Sequence, residues 1–200
     1  MTRPSLALAA YLAASRAIPL AAPGLLARRL AKGKELPDRW REKLGEPSLP
    51  RPDGPLIWLH AVGLGEVLAL RGLISAMAER CDANFLVTST TRGSAEVLAK
   101  NLPPRTRHQF LPLDAPGYLA RFLDHWRPSL SIWAEQDLWP GAVHAADGDV
   151  FDHAIGAQLL HQLVQAVAGN LELEDRHRIG EQGMAGNPAT RPRDRLRRRV

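Results

Sequence analysis

Between residues 55 and 146 short apolar runs alternate with stretches of helical periodicity, the pattern expected of parallel strands joined by crossover helices. Residues 55–62 (PLIWLHAV) read as a buried strand, and residues 66–80 place Val67, Leu70, Leu73, Ile74 and Met77 on one helical face. A second strand is expected at 85–89, then a helix at 94–102 with Ala95, Leu98 and Leu102 inward. Residues 108–113 form the third expected strand. Pro116 then opens a helix with Leu119, Phe122, Leu123 and Trp126 at helical spacing, proline being well suited to a first turn. Residues 130–134 are the fourth strand and lead to a helix near Trp139-Pro140. The fold class is therefore α/β, an open, doubly wound parallel sheet. Ligands of such sheets sit at the carboxyl ends of the strands.

That rule directs attention to four strand-to-helix junctions. They hold Gly63-Leu64-Gly65-Glu66, residues 88–94 (TSTTRGS), Asp114-Ala115-Pro116-Gly117, and Glu135-Gln136-Asp137-Leu138-Trp139-Pro140. The first resembles a shortened phosphate loop, but it lacks the third glycine of a dinucleotide fingerprint and the Gly-Lys-Ser/Thr of a nucleotide triphosphatase. What it offers is a carboxylate, Glu66, in the first turn of a helix, where the dipole and free N–H groups favour the ionised form. Such a carboxylate either caps the helix or accepts a proton as a general base.

The second junction crowds Thr88, Ser89, Thr90, Thr91, Arg92, Gly93 and Ser94 at a helix start. It can bind phosphate or carboxylate, or it can be an ordinary turn with a helix cap. Glu135 and Asp137, flanked by Trp133 and Trp139, suit carbohydrate, with carboxylates for hydroxyls and indoles for sugar faces; no histidine follows at a metal-ligand spacing. His60 reads as a bonded polar residue near a strand end, and His125 as helix surface.

Composition narrows the possible partners. The one cysteine, Cys81, excludes an intramolecular disulfide and a multi-cysteine zinc site. Residues 1–51 carry ten Lys/Arg against four Asp/Glu, whereas residues 52–150 carry eight against eleven, so the charge of the central region is wrong for a nucleic-acid surface. Residues 6–27 are almost entirely apolar and are followed by Arg28, Arg29, Lys32 and Lys34. As one helix they would span about 33 Å, close to a bilayer's hydrocarbon thickness. Arg16 near the centre and the interruptions at Pro19 and Pro23 favour a segment lying in one leaflet over a full span, with the basic cluster on anionic head groups. A signal peptide with Arg3 as its charged start and a pair of core helices are the other two readings.

Taken together, these segments resemble the amino-terminal half of 3-deoxy-D-manno-octulosonic acid (Kdo) transferases. The matching pieces are the apolar segment with its basic flank, Arg39-Trp40-Arg41-Glu42-Lys43-Leu44-Gly45, Trp58-Leu59-His60-Ala61-Val62-Gly63-Leu64-Gly65-Glu66, the 88–94 loop, Leu111-Pro112-Leu113-Asp114, and Glu135-Gln136-Asp137-Leu138-Trp139-Pro140. Where the family typically has Ser-Val-Gly-Glu, this chain has Gly63-Leu64-Gly65-Glu66; where it has Glu-Ser/Thr-Glu-Leu-Trp-Pro-Asn, Asp137 keeps the acid and Gly141 replaces the asparagine.

The resemblance implies the Rossmann-like amino-terminal lobe of a two-lobed GT-B glycosyltransferase. It implies transfer of Kdo from CMP-Kdo to lipid A precursor with inversion, without cofactor or metal, at the cytoplasmic face of the inner membrane. Glu66 would be the base, and Gly63, Gly65, Thr90, Thr91, Arg92, Gly93, Ser94, Glu135 and Asp137 would bind substrate. Three regions follow: a membrane-associating segment at 1–51, the acceptor-side lobe at 52–146, and an atypical tail at 147–200. The resemblance ends near Val143. The tail allows one helix at 153–168 and finishes with six Arg in its last ten residues, so it is expected to be partly disordered and to stand where the donor-binding lobe would be. The competing function is a non-catalytic, membrane-associated module that binds anionic lipid.

Overall fold

The computed structural model describes residues 5–62, 64–134 and 139–146, with backbone alone for Leu64 and residues 66–69. Its centre is a four-stranded, all-parallel sheet of β1 (Leu56–His60), β2 (Asn84–Ser89), β3 (Thr106–Phe110) and β4 (Leu130–Trp133), in the order β3-β2-β1-β4. The chain steps outward from β1 to β3 and then returns to the far side of β1. The switch point therefore lies between β1 and β4.

Alternating strand residues feed two cores, as the period-2 geometry of a strand requires. On one face Ile57, Leu59, Phe85 and Val87 pack with Leu70, Ile74 and Met77 of α3 (Leu64–Ala78) and Leu98 of α4 (Arg92–Asn101). On the other, Leu56, Trp58 and Leu86 pack with Phe122, Leu123 and Trp126 of α5 (Pro116–Trp126) and Ala146 of α6 (Pro140–Ala146). Helices on both faces make this a doubly wound, Rossmann-like α/β fold, as the alternation predicts.

Two local differences from the sequence reading have the same cause. Leu102 is not inward: α4 stops at Asn101, because Pro103 disfavours the helical region for the residue before it, and Leu102 is left extended and exposed. The third strand ends at Phe110 instead of residue 113; Leu111 N–H still bonds Ser89 O at 2.9 Å, but Pro112 has no donor to continue the ladder.

β3 is an edge strand, and its free edge is closed by side chains. A short 3-10 helix, Trp40–Leu44, lies against it. Glu42 accepts the Phe110 N–H at 2.7 Å, Arg39 donates to His108 O at 2.8 Å, and the two side chains grip each other through bonds of 2.8 and 2.9 Å. Pairing that would invite another strand is thus satisfied internally. The 3-10 helix ends at Gly45 with φ +76°, where any Cβ would collide with the Tyr118 backbone, so glycine is required there. Behind it Glu35, fully buried, is held by Lys43 at 2.7 Å and Arg29 at 2.5 Å.

The apolar amino-terminal stretch forms two helices, α1 (Leu6–Ser15) and α2 (Ile18–Ala31), bent by 55°. The break falls at Arg16-Ala17 and not at the prolines. Pro19 sits in the first turn of α2, where no donor is needed, and Pro23 is carried inside the helix. α2 buries Ala22 and Leu26 against Leu44, Ala115 and Tyr118, whereas Leu6, Leu20 and Leu25 are exposed. No single described helix is long and apolar enough to cross a membrane; the bent pair passes that test by length and composition.

Candidate functional site

The crevice at the β1/β4 switch point is framed by the ends of these strands. His60 and Trp133 are register partners, and Ala134 N–H bonds His60 O at 3.0 Å. Their rings meet edge to face at 4.9 Å, and Trp133 in turn meets Trp58 at 5.3 Å. Trp133 and Trp139 are both half-buried against the core cluster of Trp58 and Trp126.

His60 is fully buried but only half bonded. Its Nδ1 lies 2.9 Å from Thr88 Oγ1 and 3.1 Å from Thr88 O, while Nε2 has no partner among the described residues. Burial pushes its pKa down to about 4, so the imidazole is neutral near pH 7. The sequence reading of His60 as a bonded polar residue is correct for one nitrogen.

α3 begins at Leu64, two residues before the expected start, which puts Glu66 in its first turn, where the dipole argument requires a carboxylate to be. Gly65, in the same turn, and Gly93, in the first turn of α4, are exposed with nothing within 4 Å of where a Cβ would stand. Neither packing nor backbone conformation demands glycine there. Both helix starts are left bare toward solvent, the condition for close backbone approach to a ligand.

The 88–94 loop divides its residues between two tasks. Thr91 caps α4: its Oγ1 accepts the Ser94 N–H at 3.1 Å and lies 2.8 Å from Ser94 Oγ. Ser94 is buried and donates to Val62 O at 3.2 Å, tying this loop to the end of β1. Arg92 bonds Glu96 at 2.7 Å and Gly33 O at 2.8 Å, joining α4 to the basic turn after α2. Thr91, Gly93 and Ser94, with Val62, Glu96, Val97 and Lys100, line an open groove of about 520 Å³. Thr90, half-buried, lies outside it. Gly63, Glu135 and Asp137, the Glu66 side chain and the helix expected at 153–168 lie outside the described residues.

A serine–histidine pair beside this loop is not a nucleophile with its base. Ser89 Oγ lies 2.9 Å from His108 Nε2, but His108 Nδ1 faces Arg39 Nη2 at 3.0 Å. Arginine can only donate, so Nδ1 accepts, the ring proton sits on Nε2, and His108 donates to Ser89. Burial and the Arg39 charge push the His108 pKa down to about 3. The imidazole cannot take the Ser89 proton.

Two further polar residues were not singled out by the sequence. Tyr11 of α1 donates to Asp114 Oδ2 at 2.5 Å, and the same oxygen accepts the Gly141 N–H at 2.9 Å. In the sequence Asp114 closes Leu-Pro-Leu-Asp and opens the third strand-to-helix junction, with no role of its own; its partners lie 103 and 27 residues away, beyond any local pattern. Among the described residues no group of three or more His, Cys, Asp or Glu could hold a metal ion.

Comparison with known proteins bears on the same region. The sequence profile of a family described as 3-deoxy-D-manno-octulosonic-acid transferase (kdotransferase) matches residues 38–152, past Val143, where the motif resemblance ends, and without the apolar segment. A protein of Arabidopsis thaliana named probable 3-deoxy-D-manno-octulosonic acid transferase, mitochondrial, is 46% identical over 122 residues, covering 60% of this chain and 27% of that protein. The 3-deoxy-D-manno-octulosonic acid transferase of Rickettsia felis is 44% identical over 90 residues, 44% of this chain and 19% of its own length. That of Haemophilus influenzae is 31% identical over 114 residues, 53% of this chain and 26% of its own length. The chain spans about a quarter of the length of these curated relatives.

Proposed function

The chain belongs to the 3-deoxy-D-manno-octulosonic-acid transferase family, and from that membership we propose that it serves transfer of Kdo from CMP-Kdo to lipid A precursor, with residues 52–146 as the acceptor-side lobe. The observation that carries this reading is Glu66 in the first turn of α3, at the carboxyl edge of the sheet. The first turn of a helix is a favourable place for a carboxylate. Glu66 takes the proton of a glucosamine hydroxyl as that oxygen attacks the anomeric carbon of Kdo; the bond from that carbon to the CMP phosphate oxygen breaks, and CMP leaves with the electron pair. Attack from the face opposite CMP inverts the centre. A positioned base contributes roughly 10²–10⁴-fold to such a step. Gly63, Gly65, Gly93 and the polar groups of Thr90, Thr91, Arg92 and Ser94 border the bound substrates, with Glu135 and Asp137 for sugar hydroxyls.

The acceptor is a lipid, and the exposed Leu6, Leu20 and Leu25 of α1 and α2, with Arg28, Arg29, Lys32 and Lys34, suit a helix pair resting on an anionic leaflet. The cytoplasmic face of the inner membrane is the corresponding location. The test is Kdo transfer from CMP-Kdo to lipid A precursor by the purified 200-residue chain, with Glu66→Gln as the variant. Turnover that falls at least a hundredfold in the variant supports the reading. The exposed apolar and basic surface also favours a second reading, a module that binds anionic lipid without transfer; vesicle binding with no turnover by either protein would establish it over the first.

A further inference from the structure

Asp114 stands apart from the other buried charges. Glu35 and Glu42 each have their carboxylate oxygens bonded to cations beside β3. Asp114 is 4% exposed, has no cation as a hydrogen-bond partner among the described residues, and receives Tyr11 O–H and Gly141 N–H at a single oxygen. Its Oδ1 is buried with no partner among the described residues. A Cβ at residue 141 would collide with that oxygen, so glycine is what lets the carboxylate approach the start of α6 so closely.

The other end of the arrangement is α1. The helix leaves most of its surface exposed, and a groove of about 230 Å³, lined by Tyr11, Ala14, Ser15 and Ile18, runs along its bend with α2. Against this loose seat, the bond from Tyr11 is, among the described residues, the side-chain hydrogen bond between α1 and the lobe. One oxygen thus receives both the hydroxyl of α1 and the first free N–H of α6, the helix that follows Glu135 and Asp137 in sequence.

We propose that Asp114 is a positioning residue that couples the seat of α1 to the start of α6. With α1 docked, Tyr11 and Gly141 share Oδ2 and the first turn of α6 is held. When α1 shifts, Asp114 loses its hydroxyl donor and its hold on Gly141 changes with it. The purpose of the coupling rests on the function proposed above, since α1 would meet the lipid and α6 follows the acid pair in sequence; the coupling itself does not.

The test uses the full chain in solution. Hydrogen exchange is measured across residues 139–146 for wild type, Tyr11→Phe and Gly141→Ala, and the ¹³Cζ resonance of labelled tyrosine is compared between wild type and Asp114→Asn at neutral pH. The expected results are exchange at the start of α6 at least tenfold faster in both variants, with the other helices unchanged, and a Tyr11 resonance that moves when the carboxylate is neutralised. Equal α6 exchange in wild type and Tyr11→Phe, or a Tyr11 resonance indifferent to Asp114→Asn, overturns the proposal. Adding phosphatidylglycerol vesicles separates the two readings. If the chain does not bind them, the membrane reading fails while the exchange data still judge the coupling. If it binds, α6 exchange should respond in wild type and not in Tyr11→Phe, and equal responses overturn the coupling.

Discussion

His60 and His108 are both buried on strands of the parallel sheet, yet their surroundings are opposite. At the β3 edge His108 has both nitrogens bonded, with Arg39 on one side and Ser89 on the other, inside a network that includes Glu42. At the β1/β4 crevice His60 has one nitrogen bonded and one without a partner among the described residues, beside helix starts where Gly65 and Gly93 are exposed. Around His108 the polar groups are satisfied where the sheet must be closed to other strands, although on the other face of β3 the buried Gln109 Nε2 has no partner among the described residues. Incomplete satisfaction marks the place where a bound molecule can supply what is missing.

The contrast is broken most severely by Glu42→Ala. It strips Arg39 of its carboxylate and leaves the Phe110 N–H without a partner, and removing one member of a buried charged pair costs about 3–5 kcal/mol. Denaturant unfolding would read this as a large fall in the midpoint. A loss below about 1 kcal/mol would mean that the clip contributes little to closing the edge.

Acid treatment addresses both histidines at once. Each has a folded pKa, about 4 for His60 and about 3 for His108, below the ordinary value of about 6.5, so the unfolded chain binds more protons than the folded one. Their contribution is fully present above pH ~6.5 and is lost as the pH falls through ~6.5 toward 4 and then 3. The expected slope is about 1.4 kcal/mol per pH unit for each histidine. Measured between pH 6 and 4, the slope should fall by about half in His108→Asn.

Single substitutions then separate the two rings at neutral pH. His108→Asn disturbs bonds to both Arg39 and Ser89 and is expected to cost about 2–3 kcal/mol, whereas His60→Asn keeps a polar group toward Thr88 and should cost about 1 kcal/mol. Equal losses would remove the distinction between a closed edge and an open crevice. The smallest effect belongs to Arg92→Ala, whose ion pair with Glu96 is exposed; stability should change by less than about 1 kcal/mol, while any role in binding an anionic substrate would appear as a raised KM.

Much of this was legible in the chain. The alternation of periods set the four strand–helix units, the start of α5 at Pro116 followed from proline's place in a first turn, and α6 begins at Pro140, near the expected Trp139-Pro140. The motifs led to the family, and Glu66 falls in a helix's first turn as expected. The division of labour within the 88–94 loop was not legible, because Thr91 and Ser94 suit a cap and a ligand equally well until Ser94 is seen bonded to Val62.

What the sequence determined by itself is local: hydrophobic period, proline and glycine punctuation, and a carboxylate at a helix start are properties of neighbouring residues and are written in their order. The strand order that puts the crevice between β1 and β4, the clip of Arg39 and Glu42 on β3, and the convergence of Tyr11, Asp114 and Gly141 on one carboxylate oxygen were decided by the tertiary structure alone. Each joins groups brought together by packing, and a hydrogen bond forms between whatever donors and acceptors that packing buries side by side, whatever their separation along the chain.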